Sequence, residues 1–532
     1  MSEDKEAKIR KAEKLLQGLS LDPRSGPGES ADAGENRGQN LPLPVPFKKE
    51  EAEKSDTPAP PPPPYLLLEP PPVAPEDEHS PAKDPQAFRP DTHEESHWDL
   101  HPSTLALRAL DCLNITAVIA AAIIFLVGSG TVFYKHQFVA MRTADRLQFC
   151  DFAKYYVCGK IALSKEAHHA YDPTVQTHFL LHDAHGDKKT AEEFIHYPPI
   201  DFPLMAPLAE QSIDKSFYLF TLLGHLIFFS GTFLLARATL INRGRGKMLV
   251  YLLFWLAACA SVPMCRAFML GQTSLILTGL TAIYIWALIK NRSLPAGIAL
   301  ALTAIKPQYS IFLVIPALVQ RRFKLLFFTI LAEIALLFAA FKTIGLTNIL
   351  NYPQIVMHAE QTANLAGGFV SEMVNVRGLL AISMADAVAV KIAGAVALAA
   401  WLCLAVLWLR YCPRPGRSDD TTFKLLLTAT VMFCLTFSPH THLYDCLFVS
   451  VTFLVAGQKS LTAAVKNSNS TSSWATRSLS ILFLLYPLLG WFFLLMPGGT
   501  GAFRTAPFAV YNIALSALSV IALLIHKPFS KG

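Results

Sequence analysis

The chain has 532 residues, 52% of them hydrophobic and 16% charged, with a formal net charge of +6. Soluble domains carry about 25% charged residues; the shortfall here lies after residue 105, where long apolar runs repeat to the C-terminus. This excludes an ordinary soluble protein. The Lys and Arg residues cluster in short loops between apolar runs, which marks membrane topology and not a nucleic-acid partner.

Residues 1–20 are charged and helical in pattern (Lys8, Arg10, Lys11, Lys14, Leu15, Leu16) and contain no apolar h-region, so no cleavable signal peptide is expected. The run near Leu113 is expected to act as the insertion signal. Residues 1–105 read as a disordered, proline-rich cytoplasmic tail. Pro60 to Pro64 and Pro70 to Pro72 stand among Glu, Asp, Ser and Lys, a composition that buries too little apolar area to offset chain entropy. A short amphipathic helix at Lys5–Leu19 would suit a membrane surface or a partner; a solvated, fraying helix is the plainer reading.

Residues 106–532 read as an all-α, polytopic integral membrane domain. The apolar runs are Leu113–Phe133, Phe217–Leu235, Met248–Pro263, Ser274–Ile289, Pro295–Ile305, Tyr309–Val319, Leu325–Phe341, Ala387–Leu409, Phe423–Phe437, Leu443–Ala456, Leu479–Met496 and Pro507–Ile525. They predict about twelve transmembrane helices, with a break at Lys306-Pro307. Basic clusters occupy every second connection: Arg237 to Lys247, Lys290/Arg292, Arg321/Arg322/Lys324, Arg410/Arg414/Arg417 and Lys459/Lys466/Arg477. Cytoplasmic loops carry the Lys/Arg excess, so these loops and both termini are expected inside. The other connections face out: the long first loop 135–215, the turns Met264–Thr273, Lys306–Gln308 and Ser438–His442, the loop 342–386 and the turn Pro497–Arg504.

Nine cysteines show no metal-ligand spacing. Cys112, Cys259, Cys403, Cys434 and Cys446 lie in or beside apolar runs and read as packing residues. Cys150 and Cys158, if helical, stand roughly 12 Å apart, too far for a disulfide.

The unusual polar residues gather in the outward connections. Asp151-Phe152-Ala153-Lys154-Tyr155-Tyr156 leads to Gly159, then Ala170-Tyr171-Asp172-Pro173 and Tyr197-Pro198-Pro199. Arg266 and Gly271-Gln272, Lys306-Pro307-Gln308, and Ser438-Pro439-His440-Thr441-His442-Leu443-Tyr444-Asp445 follow. A transporter keeps its ionisable groups near the bilayer midplane; a cluster at one face suits a surface-facing reaction chamber. Each residue also has a plainer reading. Asp151 reads as a loop carboxylate, Lys306 as a snorkelling lysine, and His440 and His442 as cap or gap-filling residues. No further ligand completes a metal site around His-x-His-x-x-Asp. Glu333, inside an apolar run, reads as an interhelical hydrogen-bond partner.

Taken in order, Asp-Phe-x-x-Tyr-Tyr-x-x-Gly, Tyr-Pro-Pro, Gly-Gln, Lys-Pro-Gln and Ser-Pro-His-x-His resemble glycosyltransferase family 87 over roughly residues 110–460. The resemblance implies the GT-C fold and a polyprenyl-phosphate-linked sugar donor, most often mannose. It implies transfer to a glycan or glycolipid acceptor on the outer face of the plasma (inner) membrane; no cofactor is expected and no metal ligands are assigned. Asp151 matches the family's catalytic base. Lys306, Arg266, His440 and His442 become candidates for the donor phosphate, and Tyr155, Tyr156, Tyr197, Gln272, Gln308 and Asp445 for other substrate contacts. The absence of a Gly-rich nucleotide fingerprint and of a Walker motif agrees with a lipid-linked donor. An oligosaccharide ligase, a lipid-linked sugar flippase and a non-catalytic scaffold displaying the tail are the alternatives.

Overall fold

The computed structural model describes residues 151–184, 194–239, 261–366, 373–412, 421–465 and 501–526, together with residue 370 and isolated positions in 251–259 and 482–486. All of these fall in one of the two units into which the chain divides, His97–Gly532. The expected tail, the run Leu113–Phe133 and most of Met248–Pro263 and Leu479–Met496 lie outside the described residues. Within the described residues the elements are helical, and the one β feature is an isolated bridge between Met373 and His442.

The connection expected to face outward first in the chain forms α1 (Asp151–Leu163), α2 (Pro173–His182) and α3 (Asp201–Ala209). Asp172 starts α2: its Oδ1 accepts the Thr174 N–H at 2.8 Å and the Thr174 hydroxyl at 2.6 Å, and Pro173 fills the first turn. The Thr174 hydroxyl holds the Asp172 carboxyl below the usual carboxylate range. Gly159 lets α1 and α3 touch, since a Cβ there would lie 2.6 Å from both Ala209 Cβ and the Met205 carbonyl oxygen.

The long apolar helix α4 (Ile213–Thr239) follows, then α5 (Val262–Leu270) and α6 (Ser274–Ile289). The expected turn Met264–Thr273 is therefore mostly helix. Ser261 caps its start, a proline sits in its first turn, and Gly271 ends it with φ +60°. α4 and α6 cross at glycines: a Cβ on Gly231 would lie 2.2 Å from the Gly279 carbonyl oxygen. Close backbone approach through small residues is how helices associate in lipid.

α7 (Ser293–Leu302) runs through the 3₁₀ turn Thr303–Ile305 to Lys306, and the chain resumes in α8 (Pro307–Leu313) and α9 (Ile315–Val319). The break falls where the sequence predicts it, because proline disfavours helical backbone in the residue before it; Lys306 has φ −126° and ψ 86°. After α10 (Phe323–Ile344), the stretch expected as loop 342–386 is largely helical, as α11 (Leu346–Ala366) and α12 (Val376–Ser383). α13 (Asp386–Tyr411), α14 (Thr421–Phe437), a 3₁₀ turn Leu443–Leu447 leading into α15 (Phe448–Val465), and α16 (Gly501–His526) complete the described part.

Among the described residues, four helices are long and apolar enough to cross a membrane: Ile213–Thr239, Phe323–Ile344, Ala387–Tyr411 and Thr505–Ile525. The shorter apolar helices include α6 and α14, which are buried almost throughout. A helix that is apolar all round belongs at the centre of a bundle. α10 is the opposite case, with only Leu325, Ala340 and Ile344 buried and Phe327, Ile330, Ile334 and Phe338 facing outward. Glu333 lies on this helix. Its helix turns little of its surface to neighbours, and among the described residues no hydrogen bond reaches its carboxyl.

The two ends of the bundle differ in chemistry. At one end Arg322 Nη1 donates to the Leu288 carbonyl at 3.1 Å, which brings together the basic turns after α6 and α9. Gln320 Nε2 meets Cys412 Sγ at 3.4 Å, adding the end of α13. The other end of α6, about 24 Å away at 1.5 Å per residue, opens on Thr273 and Ser274.

Candidate active site

At that second end Asp151 is the first residue of α1, and its side chain is 28% exposed. The Gln272 side-chain amide donates to Asp151 Oδ2, and Lys154 Nζ stands 3.6 Å from Oδ1. The Gly271-Gln272 pair has a steric reason. Gly271 adopts the left-handed conformation, and a Cβ there would lie 2.4 Å from Phe152 Cβ. Only glycine fits this position; its close packing beside Asp151 delivers the Gln272 amide to the carboxylate.

Tyr155, one turn on from Asp151, stacks on Tyr197 with ring centroids 4.2 Å apart, and its hydroxyl meets Thr273 Oγ1 at 3.3 Å. Burial pushes both phenols well above their usual range. Tyr156 points elsewhere: it is buried, and its hydroxyl donates to the Gln211 carbonyl at 2.9 Å, tying α1 to the turn before α4. That bond holds Tyr156 against the scaffold.

Lys306 is not a bare cation. Its ammonium lies 2.8 Å from Asp445 Oδ1 and 4.8 Å from the Tyr444 ring centroid. Asp445 is fully buried and also accepts the Ser274 hydroxyl at 2.6 Å and the His442 backbone N–H at 3.1 Å. A carboxylate with three donors, one of them charged, is the kind of buried charge a protein can hold. His442 packs on Tyr444 with centroids 5.3 Å apart. Burial pushes His442 down to about 4, so it is uncharged near neutral pH and serves as a hydrogen-bonding group, not a cation. Its backbone N–H on Asp445 sets it beside the Lys306–Asp445 pair.

His440 meets a residue that sequence reading missed. Arg377 Nη1 lies 3.2 Å from His440 Nε2. A guanidinium only donates, so this imidazole nitrogen accepts. Arg377 is 2% exposed, and residues 373–377 are stitched to the Ser438–His442 loop. The Val374 N–H donates to the Thr441 carbonyl at 2.8 Å, and Asn375 Nδ2 to the Ser438 carbonyl at 2.7 Å. Asn375 also caps α12 through Gly378, and an Asn ahead of a short apolar run was the available signal. The His440 carbonyl accepts from Tyr309 at 3.3 Å and from Gln308 at 3.4 Å, so Gln308 supports the loop. Arg266 lies exposed on α5, and among the described residues no hydrogen bond or ion pair reaches it.

The protein is thus an all-α membrane protein with a carboxylate, a buried ion pair and two histidines clustered at one end of its bundle. Residues 194–439 match the model of glycosyltransferase family 87. Over these residues the chain is similar to that family of glycosyltransferases. The match takes in Tyr197, Arg266, Gln272, Lys306, Gln308 and Arg377; Asp151, His440, His442 and Asp445 lie outside it. No curated protein matches the chain.

Lys306→Met alone strands a buried carboxylate and should cost about 3–5 kcal/mol of stability. The double variant Lys306→Met/Asp445→Asn should recover most of that loss in thermal unfolding, without recovering glycosyl transfer. A double variant that transfers sugar at the wild-type rate would remove the pair from the chemistry.

Proposed function

We propose that the protein transfers a hexose, mannose first among the candidates, from a polyprenyl-phosphate donor to a hydroxyl of a glycan or glycolipid. The reaction runs on the extracytoplasmic face of the plasma membrane, with N- and C-termini inside. The observation that carries this reading is the state of Asp151. One carboxylate oxygen is occupied by the Gln272 amide, while the side chain remains part-exposed at the end of the bundle away from the basic turns. A base needs that arrangement: a fixed orientation and a free lone pair.

In the proposed reaction the acceptor oxygen attacks the anomeric carbon while Asp151 takes its proton. The bond from that carbon to the phosphate oxygen breaks, and its electron pair leaves with polyprenyl phosphate. Attack and departure on opposite faces invert the anomeric centre, so a β-linked donor gives an α-linked product. Negative charge grows on the departing phosphate, where cations and hydrogen-bond donors lower the barrier. Lys306, Arg377 and the two histidines are the groups at hand. Lys306, balanced by Asp445 at 2.8 Å, is held in place before substrate arrives. The outward apolar faces of helices such as α10 suit a lipid-embedded protein whose donor arrives laterally.

Purified protein incubated with a panel of polyprenyl-phosphate sugars should release polyprenyl phosphate, detected by mass spectrometry. The product linkage should be opposite in configuration to the donor. Retention of configuration would remove the single-displacement scheme. Release with none of the donors, together with movement of intact lipid across vesicles, would favour a flippase.

Sidedness has its own test. A cysteine at the exposed Glu166, in the first loop, should react with an impermeant thiol reagent in intact cells. One at the exposed Arg292, in the basic turn after α6, should not. The reverse pattern contradicts the outward-facing site.

A further inference from the structure

Tyr197-Pro198-Pro199 leads straight into α3, and the first residue of that helix is Asp201. Its N–H donates to the Pro198 carbonyl at 2.9 Å, so the two prolines make a fixed turn that sets where Asp201 stands. The side chain is 2% exposed. Its Oδ2 is enclosed, and no hydrogen-bond partner reaches it among the described residues. α3 lies against α1, the helix that carries Asp151 and Tyr155, in the backbone contact at Gly159. Tyr197, four residues before Asp201, is the ring stacked on Tyr155.

An enclosed carboxyl with an unmet oxygen opposes folding. Nothing in the packing of α3 requires an acid there: Phe202, Met205 and Ala209 supply its buried surface. Burial raises the Asp201 carboxyl above the usual carboxylate range, against the lowering by Lys306, and so favours its protonated form. It then offers one O–H to donate and oxygens to accept, the pairing that a sugar hydroxyl completes. Enclosed as it is, Asp201 is less suited to act as the base than the part-exposed Asp151.

We propose that Asp201 is a substrate-contacting carboxyl that recognises a hydroxyl of the transferred sugar, placed for it by the Tyr197-Pro198-Pro199 turn. This rests on the reading of the site as one for a polyprenyl-phosphate sugar. A site built to hydrogen-bond a substrate hydroxyl discriminates through the polar group it would otherwise leave unpaired, so Asp201 bears on which sugar is accepted.

The test compares full-length wild type with Asp201→Leu, Asp201→Ala and Asp201→Asn in lipid nanodiscs. Two ligands are titrated: polyprenyl-phosphate mannose and polyprenyl phosphate without sugar. Thermal unfolding is measured alongside. Asp201→Leu should melt at or above the wild-type temperature, since it removes an unmet polar group. It should bind sugar-free polyprenyl phosphate like the wild type and the mannosylated lipid about tenfold more weakly, the loss expected of a hydrogen bond that leaves a partner unpaired. Asp201→Asn, neutral and still able to donate and accept, should stay within about threefold of wild type. Equal binding of both lipids by Asp201→Leu and wild type overturns the proposal, as does equal weakening of both lipids. Loss of the fold in the Leu and Ala variants alike assigns Asp201 to the scaffold and also overturns it. Wild type that binds neither lipid contradicts the donor reading itself, an outcome separate from any difference among the variants.

Discussion

The Lys306–Asp445 ion pair is the knot at which the polar end of the bundle is tied. Through Asp445 it joins the start of α6 at Ser274, the break between α7 and α8 at Lys306, and the 3₁₀ turn after His442. The loop that ends at that turn is paired with residues 373–377, so α12 and Arg377 are fixed by the same knot. A buried pair of this kind adds little net stability compared with apolar packing, and its removal by halves is costly. What it supplies is registry: four separate stretches of chain meet in one arrangement. That arrangement fixes Lys306, two histidines and the Tyr444 ring around Asp445, whose partner Ser274 lies two residues from the Gln272 that holds Asp151.

The second constraint is the bilayer. Helices that satisfy their own backbone can cross it, and irregular backbone is tolerated where protein covers it or water reaches it. The apolar helices do the first. The irregular segments gather at the ends: Lys306 between two helices, Gly271 in the left-handed conformation, and the 438–442 loop bridged to Met373. Broken helices let side chains converge on a point that no single helix face could reach. Chemistry is therefore built where the helices stop.

Much of the scaffold was legible in the sequence, because apolar runs of helical length have one economical explanation. Ser274–Ile289 and the break at Lys306-Pro307 fall where hydropathy and proline put them. The helical parts of the outward connections were missed. α5 is read as a turn when Arg266 and Gly271 are weighed as motif residues, although Ser261, a proline and Gly271 are ordinary helix boundaries. α11 and α12 were missed because their helices are less apolar than a span.

The site was legible as a set of motifs but not as a set of partners. Spacing could propose Asp151, Gln272, Lys306 and Asp445, and it could not say that the amide of Gln272 holds Asp151 or that Asp445 neutralises Lys306. Those pairs are separated by more than a hundred residues. Arg377 and Asp201 were overlooked for the same reason: each looks ordinary in sequence, and only burial beside the motif residues distinguishes it. Tyr156 shows the converse, a motif residue whose hydroxyl is spent on the scaffold.

The central claim is that Asp151 takes the acceptor's proton. Asp151→Asn tests it most directly, since it keeps the size of the side chain and the contact with Gln272 but lowers its basicity. In a single-turnover reaction with prebound polyprenyl-phosphate mannose, the transfer rate should fall by about 10²–10⁴-fold, with donor affinity unchanged. Transfer at the wild-type rate by the Asn variant would contradict the account and move the base to another residue.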